Sequence, residues 1–368
     1  MLRLFRHISL WVAIAAAVTG CSIWSDYGAD GMLSELSISV RVSDGPGGVL
    51  SKAVSINPGD YEGAMHDGEK MQTLRIVIVR EDGTVEHNRF MDFYGSLKKS
   101  YISVSDISFE VYGPETKKVY LFVNENTQKT DIDGTSKVRL VDYDFDSLVP
   151  GSVFPADEIA GVIITLNNRS DEVIDQEVPS EALPMSECHV VEVPSADHHV
   201  ELSVTRAATK FTYIFENNSN VDLSLEKLTV SKASRMEYYL PRTSQEQGYE
   251  VPNINNNDYY VFEKTFGNLT VPAGTVTRLE RSFYLLEGKY SDSEGDRDAS
   301  GNPLNYSMSV TLNGTSYNSY FPDVKQLPRN THVVVVVSFG YYGTEAKVDW
   351  TVDVYPFGEV WLEPGFGQ

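Results

Sequence analysis

The chain has 368 residues, of which 41% are hydrophobic, 11% aromatic and 22% charged, a composition that excludes disorder over most of its length. At roughly 100–200 residues per domain, this predicts two domains, each large enough to bury its own core. Acidic residues outnumber basic ones 52 to 30, for a net charge of −22. A surface of that sign repels phosphate backbones and anionic headgroups, which excludes nucleic acid as a partner.

Arg3, Arg6 and His7 precede an apolar run over 8–18, followed by Val18-Thr19-Gly20-Cys21. The run covers about half of the roughly 20 residues that a membrane span needs, so it reads as the core of a signal peptide. The small residues before Cys21 resemble the bacterial lipobox. Residues 1–20 are therefore read as a lipoprotein signal peptide, removed by signal peptidase II, with Cys21 as the acylated first residue. Each buried acyl methylene would hold the chain to a membrane by roughly 0.8 kcal/mol. Cys188 is the one other cysteine, so no intrachain disulfide is expected once Cys21 is lipidated. Cys188 reads as a small buried hydrophobe in preference to a reactive thiol activated by His189.

Strand signals dominate the remainder. Leu36-Ser37-Ile38-Ser39-Val40-Arg41-Val42 alternates apolar and polar with period two, the pattern of a half-buried strand. Residues 73–79 form another strand, and Asp82-Gly83 predicts a hairpin into 85–87. Segments 107–111 and 119–123 continue the series. Residues 156–166 are the best short-helix candidate, although Val162, Ile163 and Ile164 leave its end open between helix and strand. Asp142-Tyr143-Asp144-Phe145-Asp146 reads as an edge strand blunted by charge. The pattern breaks at 193–197, which places a boundary between a domain of 21–194 and one of 195–368. Beyond it, 200–204, 211–215 and 223–230 read as strands. The segments 306–312 and 317–321 flank Asn313-Gly314, the strongest hairpin signal in the chain. Val333 to Val337 is apolar on both faces and predicts a strand covered on both sides. Residues 348–354 alternate cleanly. Many short strands with little helix predict an all-β chain of two tandem β-sandwiches.

The chain carries no G-x-S-x-G, no H-E-x-x-H, no P-loop and no G-x-G-x-x-G opening a helix, so it reads as non-enzymatic and without a cofactor. Asp197-His198-His199 reads as a solvated boundary loop, because neighbours on a strand face opposite ways and cannot share a metal. Asp292, Glu294, Asp296 and Asp298 alternate as ligands of hard cations do. An EF-hand, however, needs Gly where Arg297 stands and Glu where Pro303 stands, so a solvated loop without metal is the expectation. Tyr238-Tyr239 and Tyr259-Tyr260 are candidates for a sugar-stacking platform, set against the commoner packing role. Asn217-Asn218-Ser219, Asn268-Leu269-Thr270 and Asn313-Gly314-Thr315 match the glycosylation triplet by chance.

Several stretches recur in a familiar order behind the lipobox. They are the loop Gly45-Pro46-Gly47-Gly48-Val49-Leu50-Ser51-Lys52-Ala53, the strands over 71–83 and 118–125, Arg206-Ala207-Ala208-Thr209-Lys210-Phe211, Phe283-Tyr284-Leu285-Leu286-Glu287, and Leu327-Pro328-Arg329-Asn330-Thr331-His332. Together they resemble the Bacteroidales fimbrillins, the lipoprotein pilins of the type V pilus, over nearly the whole chain beyond the leader. The resemblance implies two transthyretin-like β-sandwiches, export as an outer-membrane lipoprotein, and partnership with other pilin subunits in a surface fimbria that supports adhesion to a host or bacterial surface ligand. In that family a protease removes the first strand, and a neighbour's C-terminal segment fills the groove by donor-strand exchange. Main-chain ladders with alternate side-chain pockets would supply its affinity and register.

Carried onto this chain, the leaving strand lies near 33–43, with Leu36, Ile38, Val40 and Val42 facing inward. The candidate donor is the C-terminal stretch, through Val348, Trp350, Val352 and Val354 or through Val360, Trp361, Leu362 and Phe366. The family's shaft pilins are cut after a basic residue, typically arginine. Here the loop offers Lys52, before Ala53. A cut chain would be a shaft or tip subunit; an uncut one would keep its lipid and resemble an anchor. Two rival readings are a surface glycan-binding lipoprotein and a cell-surface glycosidase. The latter needs a pair of opposed carboxylates, and none stands out in the sequence.

Overall fold

A computed structural model describes residues 32–43, 67–93, 101–102, 107–125, 140, 143–165, 182–244, 248–254, 259–279, 282–290, 306–321, 324, 326–342 and 345–356. Cys21, Lys52, Ala53, Asp142, Asp292, Glu294, Asp296, Asp298, Val360, Trp361, Leu362 and Phe366 lie outside these residues.

The first half supplies β1 (Met32–Val42), β2 (Thr73–Val79), β3 (Val85–Asp92), β4 (Tyr101–Ile102), β5 (Ser108–Gly113), β6 (Glu115–Val123), β7 (Ile163–Thr165), β8 (Met185–Val193) and β9 (His198–Arg206). All but β7 join one path, β3-β2-β6-β8-β9-β1-β4, with β5 also beside β1. Strands β8 and β9 pair only at Met185–Arg206 and Ser186–Thr205, and there the path folds over into two layers. Period-two alternation sends one side chain in two to the enclosed side. Leu36, Ile38, Val40, Leu74, Ile76, Ile78, Val119, Leu121 and Val123 close the core between the layers, each fully buried. The Asp82-Gly83 turn is as expected: Gly83 has φ +87°, and Asp82 Oδ1 accepts from the Thr84 N–H at 2.9 Å.

The outer face of β2 and β6 is covered by residues 143–165. The expected edge strand over 142–146 is a correction here, because Phe145–Ser147 is a single 3-10 turn. Asp144 caps it by accepting from the Asp146 N–H at 3.1 Å, and Phe145 is buried with its ring 4.7 Å from that of Phe122. Capping by aspartate and burial of one ring outweigh a three-residue alternation. The ambiguous segment resolves as a short helix, α1 (Ala156–Ala160), running into the β-branched strand β7.

The second half supplies β10 (Thr209–Asn217), β11 (Leu223–Ser234), β12 (Met236–Tyr238), β13 (Thr243–Ser244), β14 (Gly248–Tyr249), β15 (Tyr259–Val271), β16 (Val276–Arg278), β17 (Phe283–Leu285), β18 (Gly288–Lys289), β19 (Ser307–Leu312), β20 (Thr315–Tyr320), β21 (Gln326–Leu327), β22 (Thr331–Tyr342) and β23 (Glu345–Pro356). One layer is β16-β10-β22-β23, with β17 also on β10; the other is β15-β11-β19-β20. Between them Phe283 stacks on Phe262 at 4.0 Å and on Phe211 at 5.1 Å. The Asn313-Gly314 turn forms with both residues left-handed, at φ +47° and +74°. Val333 to Val337 is buried on both faces, as its unbroken apolar run predicts. The chain is thus all-β, in two layered halves.

The boundary differs from the expectation at 193–197. That break is the turn between β8 and β9, and β9 pairs with β1 in the first sheet path. The chain crosses between sandwiches at Ala207-Ala208, both fully buried. Alternation says which face of a strand is buried and not which strand lies beside it, so β9 reads equally well as the start of either half.

Candidate functional site

Strand β1 is interior. It runs parallel to β9 from Leu36–His198 to Val42–Val204. On its other side it is antiparallel to β5, from Met32–Gly113 to Ser37–Ser108, and to β4 at Val40–Ile102 and Arg41–Tyr101. All four inward residues expected from the sequence face the core: Leu36, Ile38 and Val40 are 0% exposed and Val42 7%. Each contributes about 2 kcal/mol through burial. Outward, Arg41 pairs with Glu201 at 3.1 Å in solvent, where an ion pair contributes little. β1 is therefore an insert in a slot. The walls are the main-chain edges of β9 and of β5 with β4, and the floor is a row of alternate aliphatic pockets. Chemically, such a slot binds an extended polypeptide with small-to-medium apolar side chains at every second position.

The C-terminal end of β1 reaches the junction between sandwiches. The Ser43 N–H donates to the Val204 carbonyl at 2.8 Å. The Ser43 carbonyl accepts from Asn330 Nδ2 at 3.0 Å and from Arg206 Nη1 at 3.5 Å. Arg206 Nη1 also donates to Asn330 Oδ1 at 3.1 Å, and its Nε to the Glu69 carbonyl at 3.0 Å. Glu69 Oε1 accepts from Tyr284 at 2.6 Å and pairs with Lys210 at 2.9 Å. Burial works against the charge on Glu69, but Lys210 and Arg206 hold its carboxyl below the usual carboxylate range. Arg206, Lys210, Tyr284 and Asn330 lie in stretches that carry the family resemblance, but polar residues without a hydrophobic period give no sign in the sequence that they are buried together.

Beside them His332 Nε2 lies 2.9 Å from Thr212 Oγ1. Burial, reinforced by the charge of Lys210, pushes the pKa of His332 down to about 3. The unfolded chain takes up a proton near pH 6.5, whereas the folded chain refuses it until about pH 3, so stability falls as pH falls through that window. In urea titrations at pH 7 and pH 4, His332→Gln should show an acid loss smaller than that of the parent by about 3 kcal/mol.

A second buried ionic cluster lies in the second sandwich. Arg329 is 1% exposed; its Nε donates to Glu287 Oε1 at 3.0 Å, and its Nη2 lies 2.7 Å from Glu237 Oε1. Nη1 donates to the Tyr239 carbonyl at 2.8 Å, Nη2 to that of Tyr238, and the Tyr249 hydroxyl to Glu287. The Glu287 N–H donates to Glu237 Oε2 at 3.0 Å. Burial pushes the carboxyl of Glu237 up; Arg329 opposes this and the charge of Glu287 adds to it.

The C-terminal candidates divide. Val348, Trp350, Val352 and Val354 lie on β23, half-buried against their own core. β23 is an edge strand, antiparallel to β22 from Glu345–Tyr342 to Pro356–Thr331. Its last pair, Pro356–Thr331, therefore sits beside Asn330, at the corner where β1 ends.

Other candidates disperse. Tyr239 and Tyr260 are buried, and Tyr239 donates to the Val123 carbonyl at 2.9 Å, so each tyrosine doublet sends one ring into the core. His198 and His199 begin β9, not a loop as expected, and His199 Nδ1 lies 3.1 Å from the Ser37 carbonyl. Burial pushes the Cys188 thiol up to about 11, which keeps it protonated. Asn217 is sealed, with Nδ2 donating to the carbonyls of Val221 and Val271 at 2.8 and 2.9 Å. Among the described residues, no group of three or more His, Cys, Asp or Glu converges as metal ligands.

No protein-family model matches the chain, and no curated protein aligns with it. Solved structures do. A candidate cell adhesion protein from Parabacteroides distasonis ATCC 8503 is 15% identical with a TM-score of 0.53, covering 89% of this chain and 98% of its own. The tip fimbrial protein Mfa3 of Porphyromonas gingivalis, with a C-terminal truncation, is 12% identical with a TM-score of 0.52, covering 88% of this chain and 100% of its own. At such identity the likeness is one of fold, and the fold of this chain is that of these Bacteroidales adhesion and fimbrial proteins.

Proposed function

We propose that the chain is a non-enzymatic subunit of a bacterial surface fimbria, exported as an outer-membrane lipoprotein on Cys21 and assembled by strand exchange. A cut between Lys52 and Ala53 frees β1, and the C-terminal segment of a neighbouring subunit enters the slot. The observation that carries this reading is that β1 is interior, with Leu36, Ile38, Val40 and Val42 in alternate pockets. Its withdrawal leaves a strand-wide template with both edges unpaired, the strongest invitation a sheet offers to another strand. The fold shared with a protein named as a fimbrial tip supports the reading. β23 covers its own core, so the donor is the extension beyond Pro356, with Val360, Trp361, Leu362 and Phe366 as its apolar side chains. The fibre's contact with a host or bacterial surface would be its adhesive function.

The N-terminus and intact mass of protein recovered from the outer membrane and from sheared surface material test the first step. A start at Ala53 is the expected result. A start at acylated Cys21 in every fraction would overturn strand exchange and leave an anchor or a surface binding lipoprotein. Deleting residues 357–368 tests the second step: export and folding persist and polymers vanish, whereas fibres of normal length would sink the donor assignment. A deletion starting at Trp350 is unsuitable, because it strips half of β23 from the second sandwich.

A further inference from the structure

Strands β1 and β22 lie end to end on one ledge. β9 runs into β10 through Ala207 and Ala208. β1 follows β9 in parallel as far as Val42–Val204, and β22 follows β10 in parallel from Thr331–Thr209 onward. The Ser43 N–H donates to the Val204 carbonyl at 2.8 Å and the Asn330 N–H to the Ala208 carbonyl at 2.8 Å, so the two strands meet tip to tail. Asn330 stands at the join. It is 0% exposed and left-handed, with φ +54°. Its Nδ2 reaches the Ser43 carbonyl at 3.0 Å, while its Oδ1 accepts from Arg206 Nη1 at 3.1 Å. Arg206 Nη1 lies 3.5 Å from the same Ser43 carbonyl, and its Nε is held by the Glu69 carbonyl at 3.0 Å.

We propose that Asn330 and Arg206 form a strand-end socket, which reads the main-chain carbonyl closing whichever strand occupies the β1 slot and so fixes its register. The proposal rests on the strand-exchange reading above. Pockets of period two do not set register by themselves. Leu36, Ile38, Val40 and Val42 are aliphatic and similar in size, so a strand slipped by two residues keeps its apolar face inward and forfeits one pocket. A buried side-chain amide with its carbonyl withdrawn loses a hydrogen bond that water cannot replace. The socket therefore separates registers that the pockets accept equally. It also describes the partner: an extended polypeptide with aliphatic side chains at alternate positions, closed by one residue with a free carbonyl, after which the chain must leave the ledge because β22 occupies it.

The test uses the full chain with a specific protease site placed between Lys52 and Ala53, folded first and then cut. Two synthetic peptides compete for the slot: residues 32–42 and residues 32–43, both C-terminal amides. The shorter one keeps an N–H in place of that of Ser43 and lacks the Ser43 carbonyl. On the parent chain the longer peptide should bind about tenfold tighter, the value of one well-made hydrogen bond with its buried donor. In Asn330→Gly, which deletes the side chain while tolerating a positive φ, that ratio should fall towards one. A methylene in place of the Ser43 carbonyl should make the longer peptide bind the parent chain like the shorter one, a readout that needs no variant to fold. An unchanged ratio in Asn330→Gly, or full affinity of the methylene peptide, would overturn the socket and leave exchange standing. Failure of both unmodified peptides to enter the cut parent chain would overturn exchange and the socket together.

Discussion

Ile38→Asp unfolds the first sandwich. Ile38 is 0% exposed at the centre of β1, in a hydrophobic cluster that runs from Leu36 and Val40 to Leu121 and Val204. The substitution removes about 3 kcal/mol of buried aliphatic packing and puts a carboxyl among the aliphatic side chains of that cluster. A total of about 5 kcal/mol is comparable with the whole stability of a domain. Purified Ile38→Asp should bind a hydrophobic dye and lose the urea transition of the parent, whereas Glu35→Ala, on the exposed face of the same strand, should lie within about 0.5 kcal/mol of the parent. The contrast isolates the inward face as what holds the strand. Equal effects of the two variants would mean that main-chain pairing alone retains β1 and that the pockets are incidental.

Arg329→Met should cost about 3–5 kcal/mol at neutral pH. The guanidinium is the cation the structure places between Glu237 and Glu287, both 0% exposed, and it also caps the carbonyls of Tyr238 and Tyr239. Without it, the two buried carboxylates lose the guanidinium that both of them contact. The carboxyl of Glu237 is already displaced upward, by burial first and by Glu287 as well, so in the variant protons become the available neutralising agent. Two consequences separate this from simple loss of packing. The destabilisation should shrink at pH 5, where carboxyls accept protons more readily. Adding Glu237→Gln and Glu287→Gln to Arg329→Met should recover a large part of it. In the parent the sign is the same: a raised Glu237 binds a proton in the folded state that the unfolded chain has released, so this group's contribution declines as pH rises from about 4.5. Urea midpoints of the parent, Arg329→Met and the triple variant at pH 5 and pH 7.5 would decide. A cost independent of pH would assign Arg329 a packing role alone.

The slot was legible in the sequence because it depends on a property that sequence encodes directly. Leu36, Ile38, Val40 and Val42 occur at every second position, and strand geometry turns that spacing into one buried face. The same logic placed β2, the Asp82-Gly83 and Asn313-Gly314 turns, and the two-sided burial of Val333 to Val337. Pairing was not legible. Nothing in Val200 to Val204 says that β9 lies beside a strand more than 150 residues upstream, so the crossover at Ala207-Ala208 was read too early. The polar interior was hidden for a different reason. Glu69, Arg206, Glu237, Glu287, Arg329 and Asn330 are residue types that composition assigns to the surface, and only tertiary contacts make their burial affordable. Phe145 misled in the opposite direction: three alternating carboxylates imitate an edge strand, while a local aspartate cap takes the backbone elsewhere.

The parallel ladder of β1 on β9 also sets an order of events in time. The Ser37 carbonyl meets His199, 162 positions further along the chain, and every pair in that ladder spans a similar loop. As the chain emerges N-terminus first, its earliest strand can pair with β4 and β5 but keeps its other edge open until β9 has appeared. Closing so long a loop is slow, on the order of milliseconds to seconds for folds dominated by distant pairings. During that interval the half-built sandwich exposes an unpaired strand edge, and the covalently attached β1, at high local concentration, competes for it ahead of any strand arriving from solution.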